Sequence, residues 1–244
     1  MKKIILWCMA VLLLTAGITS HAYGFGLVNK KNQRPSAGAY DPIVTNNGGI
    51  YIGPDQKELY LTFDCGYENG HTQKILEALR KTDTKAMFFI TGHYLASAKD
   101  LVKQMVEDGH LIGNHTYSHK DFTKSSNEEI LKDIHKLEDE FLKEMGTSMS
   151  HYVRPPRGEF DERSLKLLKD NGYASIFWSL AYVDWHKDAF HGNHYSYNQV
   201  MNRVHNGAIL LMHTVSKDNA EDLEDIILKL KNDGYVFKSI ASVI

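Results

Sequence analysis

Cysteine is nearly absent from this chain. Only Cys8 and Cys65 carry thiols among 244 residues, and Cys8 falls inside the N-terminal apolar run. A chain that loses that run keeps Cys65 alone. No intramolecular disulfide can then staple it, and the fold must rest on its core. Basic blocks are missing as well. Formal net charge is −2, without the Lys/Arg stripe of a nucleic-acid-binding surface. No long acidic tail reads as a solvating disordered segment. No apolar run reaches the ~20 residues that span a bilayer. No internal repeat is evident, and nothing points to a stable protein partner.

The N-terminus reads as a targeting segment. Lys2 and Lys3 make a positive start, Ile4 to about Ile18 is apolar, and Ser20-His21-Ala22 fits a small-x-small cleavage site. Residues 1–22 are therefore expected to be a signal peptide, with the mature chain exported across the cytoplasmic membrane. An uncleaved N-terminal anchor is the alternative. Residues 23–56 are rich in Gly, Asn and Pro, with weak periodicity, and read as an arm over the domain. Residues 57–244 form that domain.

From Lys57 onward, strand and helix patterns alternate. The expected strands are 59–63, 86–90, 111–113, 152–153, 175–180, 208–212 and 235–238. Helices are expected over 72–81, 99–108, from the capping box at Ser125 or Ser126 to about Met145, after Asp161 to near Asn171, over 197–205 with Ser196 as cap, and over 219–232. Such alternation argues for an α/β fold with a parallel sheet or barrel. Right-handed crossovers put the strand C-terminal ends on one face. Polar stretches that follow strands should meet there.

Those stretches carry the chemistry. Asp64 ends the first strand and is a candidate general base. His115 and His119 stand four apart, a spacing that lets two imidazoles chelate one metal if the segment is a helical turn. His213 follows an apolar strand and is a candidate acid, since imidazole titrates in the working range. Arg154 precedes two prolines that stiffen its backbone, and a guanidinium there could hold Asp64 ionised. Asp184-Trp185 sets an acid beside a wide aromatic, which suits a sugar face.

Taken in order, Thr62-Phe63-Asp64-Cys65-Gly66, His115-Thr116-Tyr117-Ser118-His119, Arg154-Pro155-Pro156-Arg157-Gly158, Asp184-Trp185 and Ile209-Leu210-Leu211-Met212-His213 resemble the five motifs of the polysaccharide deacetylase family. This is the NodB-homology group, or carbohydrate esterase family 4. The resemblance spans roughly 57–244. It implies a distorted (β/α) barrel of about seven parallel strands and hydrolysis of N-acetyl groups on amino sugars. It implies Asp64 as base, His115 and His119 as metal ligands, Arg154 as the residue orienting the base and His213 as acid. Asp184 would support the Arg154/His213 side, and the Arg157 backbone N–H would serve as oxyanion donor.

Within the family, Asp64-Cys65-Gly66-Tyr67-Glu68-Asn69-Gly70 and His213-Thr214-Val215-Ser216-Lys217-Asp218-Asn219-Ala220 are similar to the branch that deacetylates muramic acid toward spore-cortex δ-lactam. The implied partner is the peptidoglycan glycan strand, on the cell-wall or spore-cortex side, with Trp185 and Arg157 as substrate-binding residues. Two departures stand out. Cys65 replaces the family's second, metal-binding aspartate, so the expected divalent ion, zinc first, has His115, His119 and a doubtful Cys65. Arg157 replaces a common aromatic and could take the lactyl carboxylate through paired hydrogen bonds. The rival readings are an N-acetylglucosamine deacetylase of peptidoglycan or chitin-like chains, and a carbohydrate-binding protein with weak turnover.

Overall fold

A computed structural model describes residues 21–27 and 31–243. The signal-peptide expectation for 1–22 falls almost wholly outside them. Among the described residues, no helix is long and apolar enough to cross a membrane.

The Glu58–Cys65 strand is the centre of an eight-stranded sheet. It pairs in parallel with Met87–Ile90 on one side and with Ala208–His213 on the other. Parallel pairing continues through Leu111–Asn114, Tyr152–Val153 and Ala174–Ile176 to Gly49–Ile50. The short Val236–Phe237 strand pairs in parallel with the start of Glu58–Cys65. Single bridges from Leu180 and Ile52 back to the Ala208–His213 strand draw the two ends of the sheet together. The result is the expected distorted α/β barrel. Helices Thr72–Lys81, Lys99–Glu107, Asn127–Met145, Glu162–Asp170 and Lys217–Asn232 follow strands and supply the crossovers.

Side chains alternate across the pleat. Leu59, Leu61, Phe63 and Cys65 pack with Leu76, Leu79, Leu223 and Ile227 of the flanking helices. Tyr60 faces the interior with Met87, Phe89, Ile176 and Ile209. Thr62 and Asp64 share the Tyr60 side by the same alternation. The stacked pair Phe63–Phe88, with ring centroids 5.2 Å apart, adds ~0.5–1.5 kcal/mol beyond its buried area.

Several expected boundaries move. The first strand runs to Cys65 rather than Phe63. The expected 175–180 strand stops at Ile176, and the chain then turns toward the cleft. A short helix, Gly92–Ser97, precedes Lys99–Glu107. Ser196 is not a cap: the helix is Tyr195–Met201, starting two residues before the expected 197, and Ser196 is buried within it. Residues of the 23–56 arm enter the architecture. Gly49–Ile50 is a sheet strand, and Tyr23–Gly24 pairs antiparallel with Glu159–Phe160.

Candidate active site

The strand register builds the site. Asp64 lies directly beside His213 on the neighbouring parallel strand. The Asn114 carbonyl accepts from the Arg154 backbone N–H at 3.0 Å, so the second and third polar segments leave adjacent strand ends. A cavity of ≈ 680 Å³ opens over these ends, and Asp64, His115, His119, Arg157, Trp185 and His213 all line it. Arg154 and Asp184 stand behind that lining as supports.

Arg154 is fully buried. Its Nη1 donates to Asp64 Oδ1 at 2.8 Å and its Nη2 to Thr62 Oγ1 at 2.9 Å. The Ile176 carbonyl accepts from Nε at 3.0 Å. The guanidinium carbon lies 4.2 Å from the centroid of Phe89. Burial alone would raise the Asp64 pKa, but the Arg154 charge, with His115 and His213, outweighs it and holds the carboxyl below its usual value. Asp64 is therefore ionised across the neutral range and can accept a proton.

His213 is supported from the other side. Its Nδ1–H donates to Asp184 Oδ1 at 2.7 Å, and its backbone N–H to Asp184 Oδ2 at 2.8 Å. Burial opposes the imidazolium, but Asp184 outweighs burial and raises the His213 pKa above its ordinary value. Nδ1 being committed, Nε2 is the nitrogen left to work. Asp184 supports His213 alone. Arg154 is held by Asp64, Thr62 and the Ile176 and Phe177 carbonyls, so Asp184 reaches that side of the site through His213.

His115 and His119 meet, with ring centroids 4.9 Å apart, but not on a helical turn. The strand ends at Asn114, and the loop reverses through positive φ at Thr116 (64°) and His119 (55°). The loop is clamped rather than helical. Asn114 Oδ1 accepts from the Thr116 N–H at 2.8 Å, and Asp133 of the Asn127–Met145 helix accepts from the Ser118 N–H and hydroxyl at 2.9 and 2.7 Å. His115 Nδ1–H donates to the Arg154 carbonyl at 2.9 Å, and its Nε2 lies 3.5 Å from Asp64 Oδ2. Burial lowers both imidazole pKa values, that of His119 to about 4. Both rings are thus neutral near pH 7, the state in which imidazole ligates a metal.

Cys65 does not join them. It is fully buried among the apolar residues beneath the helices, on the strand face opposite Asp64. Burial pushes its thiol pKa strongly upward, so the thiolate a metal needs is disfavoured. The structure thus takes Cys65, the doubtful third ligand, away from His115 and His119. Among the described residues no group of three or more His, Cys, Asp or Glu could hold a metal ion. The two neutral imidazoles fit a divalent cation as part of its ligand shell.

Arg157 sits in the left-handed region (φ 58°) beside Gly158 (φ 67°). A Cβ on Gly158 would come within 2.7 Å of the Trp178 ring, so this turn needs glycine. The Arg157 guanidinium is already engaged. Its Nε and Nη2 donate to Glu159 Oε2 at 3.1 and 2.7 Å, and Nη2 lies 3.3 Å from Asp121. These bonds occupy its Nε/Nη2 edge, so the expected paired grip on a lactyl carboxylate would have to come from Nη1 or displace Glu159. Trp185 is half exposed at the cavity, 5.9 Å from the His213 ring.

Sequence reasoning missed Thr62, which steadies Arg154, and Asn219, whose amide holds Asp184 at 2.7 Å. It also missed Phe25 and Leu27, arm residues that line the cavity. The Phe25 N–H donates to the Gly158 carbonyl at 2.9 Å and ties the arm to the Arg157 turn.

Comparison with known proteins gives these features a context. The model of the polysaccharide deacetylase family matches residues 52–176. The peptidoglycan-N-acetylmuramic acid deacetylase PdaA of Bacillus subtilis is 40% identical over 242 residues, covering 96% of this chain and 92% of the relative. Its solved structure, described as a family 4 carbohydrate esterase, aligns with a TM-score of 0.88 over 91% of this chain and 96% of that one. A peptidoglycan-N-acetylglucosamine deacetylase of Bacillus cereus is 32% identical over 216 residues, covering 84% of this chain and 76% of the relative.

Proposed function

The chain belongs to the polysaccharide deacetylase family, hydrolases that act on amide bonds, and on that premise we propose that it removes the N-acetyl group of muramic acid in peptidoglycan glycan strands. The observation that carries this is the pairing of an ionised Asp64, held by Arg154, with a His213 whose proton is held by Asp184, both at one cavity.

The chemistry follows from that pairing. Asp64 takes a proton from water as the oxygen adds to the acetyl carbonyl carbon. The Arg157 backbone N–H is the proposed donor to the oxyanion. His213 Nε2 gives its proton to the nitrogen as the C–N bond breaks, and acetate leaves the free amine. His115 and His119 would hold a divalent ion, zinc first, which when bound would polarise the acetyl oxygen. Trp185 offers an indole face to a sugar ring.

Preference for muramic acid over N-acetylglucosamine rests on the 40%-identical relative and on Arg157. The Arg157 Nη1 group would meet the lactyl carboxylate. Export, placement on the cell-wall or spore-cortex side, and a product that closes to the δ-lactam during sporulation are part of the same proposal.

Incubating peptide-free peptidoglycan glycan with residues 23–244 and weighing the products by mass spectrometry tests the reading. Loss of one acetyl per muramic acid is expected, and chelation should suppress it. Acetyl loss confined to N-acetylglucosamine would replace the substrate assignment, and no loss with added zinc would favour the weakly active binding protein. Arg157→Ala should lower kcat/KM about tenfold or more on muramic substrates, the scale of a lost charge-assisted hydrogen bond, and less on chitin-like ones. Equal losses on both would remove Arg157 from specificity.

A further inference from the structure

Four groups converge on the side-chain amide of Asn219, which is fully buried in the first turn of the Lys217–Asn232 helix. Its Nδ2 donates to Asp184 Oδ2 at 2.7 Å and to the His213 carbonyl at 3.0 Å. Its Oδ1 accepts from the Tyr182 hydroxyl at 2.8 Å and from the Ser196 hydroxyl at 2.6 Å. An amide has two N–H donors and two lone pairs on oxygen, so its capacity is filled. The orientation is dictated by chemistry. A carboxylate and a backbone carbonyl have no hydrogen to give, so only the NH2 end can face them. The two hydroxyls can donate to the other end.

Asp184 accepts three hydrogen bonds of its own. Its Oδ2 accepts from Asn219 and from the His213 backbone N–H, while Oδ1 accepts from His213 Nδ1–H. The backbone of Asn219 is fixed as well, since its N–H donates to the Ser216 hydroxyl at 3.2 Å. One residue earlier, Asp218 accepts from the Gly192 N–H at 2.9 Å and pairs with His191 Nδ1 at 2.9 Å. A single helical turn therefore holds Asp184, at the start of the loop that carries Trp185, and His191 and Gly192 further along it.

We infer that Asn219 is a positioning residue for the proposed acid His213, its amide locked by Tyr182 and Ser196 so that Asp184 stays aimed at Nδ1. Two N–H donors on Oδ2 fix the plane of the carboxylate, which leaves Oδ1 to face the imidazole. An aimed carboxylate keeps the imidazole in the tautomer that presents Nε2 to the cleft. Asn219 does not line the cavity, so its effect passes through Asp184 and His213 rather than through substrate. This inference builds on the deacetylase reading for its kinetics, and one of its readouts needs no substrate.

The test uses the chain from residue 23 with Asn219→Ala and Asn219→Asp. Both should lower kcat by about 10–100-fold, the scale for groups that orient a working ligand or base, with KM within twofold. In proton NMR, the downfield resonance of His213 Nδ1–H, identified by its loss in His213→Gln, should shift or broaden away in both variants. Ser196→Ala removes one of the two hydroxyls locking the amide. It should fold and move the resonance part of the way, which keeps the question open to test if Asn219→Ala fails to fold. Retention of kcat within twofold and an unmoved resonance, even with a lowered Tm, would reduce Asn219 to packing. A wild-type chain without deacetylase activity would instead count against the proposed function, and the resonance would still decide the role of Asn219.

Discussion

Replacing Asp64 with asparagine is expected to lower kcat/KM by about 10²–10⁴-fold, the range that a positioned general base contributes. Asparagine keeps the size and an oxygen for Arg154 but cannot accept the proton from water. The measurement is acetate release from peptide-free glycan, at a temperature where both proteins are folded by circular dichroism. Retention of more than a tenth of the activity would remove Asp64 from the role of base. The pH profile supplies a second check. Activity needs Asp64 ionised and His213 protonated. The lowered Asp64 pKa places the acid limb below the usual carboxylate range, and the raised His213 pKa places the alkaline limb above the ordinary imidazole value. Asp184→Asn should move the alkaline limb to lower pH, because it removes the charge that holds the imidazolium.

Asp64→Asn also changes how stability responds to acid. A carboxylate whose folded pKa is depressed contributes stability that is present above its unfolded value, about 3.9. That contribution is lost as pH falls through the lower folded value. The wild-type chain should therefore lose stability below about pH 4, and part of that loss should be missing in Asp64→Asn.

Much of this site could be read from the chain because its parts sit at strand ends. Strands declare themselves by apolar runs, and a parallel α/β topology brings their C-terminal ends together whatever the sequence distance between them. Asp64, Arg154 and His213 are far apart in sequence and met as expected. What escaped were features set by backbone geometry or by tertiary partners. Two further residues of strand carried Cys65 onto the helix-facing side, and a one-residue change in parity decides which face a side chain takes. The positive φ at Thr116 and His119 has no local signature, since neither is glycine. It is held locally by the Asn114 side chain and from outside by Asp133 of the following helix. Gly49–Ile50 has only two residues, too few for periodicity, and it gains its strand conformation by pairing with Ala174–Ile176. Thr62 and Asn219 looked like a strand residue and a helix residue. Their function lies in the buried charges they touch, and spacing alone does not encode that.

The second large effect is on stability. Arg154→Leu should destabilise the chain by about 3–5 kcal/mol, because it leaves the buried Asp64 carboxylate without its cation. It also strips partners from Thr62 and from the Ile176 and Phe177 carbonyls, which accept from the same guanidinium. Urea unfolding should show a lower midpoint with an unchanged slope. Arg154→Lys should recover only part of the loss, since an ammonium lacks the planar fork that reaches four acceptors at once. The double variant Asp64→Asn/Arg154→Leu separates charge pairing from packing. With neither charge buried, its loss should be smaller than the sum of the two single losses, by the coupling energy of the pair. Additive losses would mean that Arg154 acts as filler in the barrel mouth. The orientation of Asp64 would then have to come from His115 and the strand alone, and Arg154→Leu should leave kcat nearly intact in whatever fraction of the protein still folds.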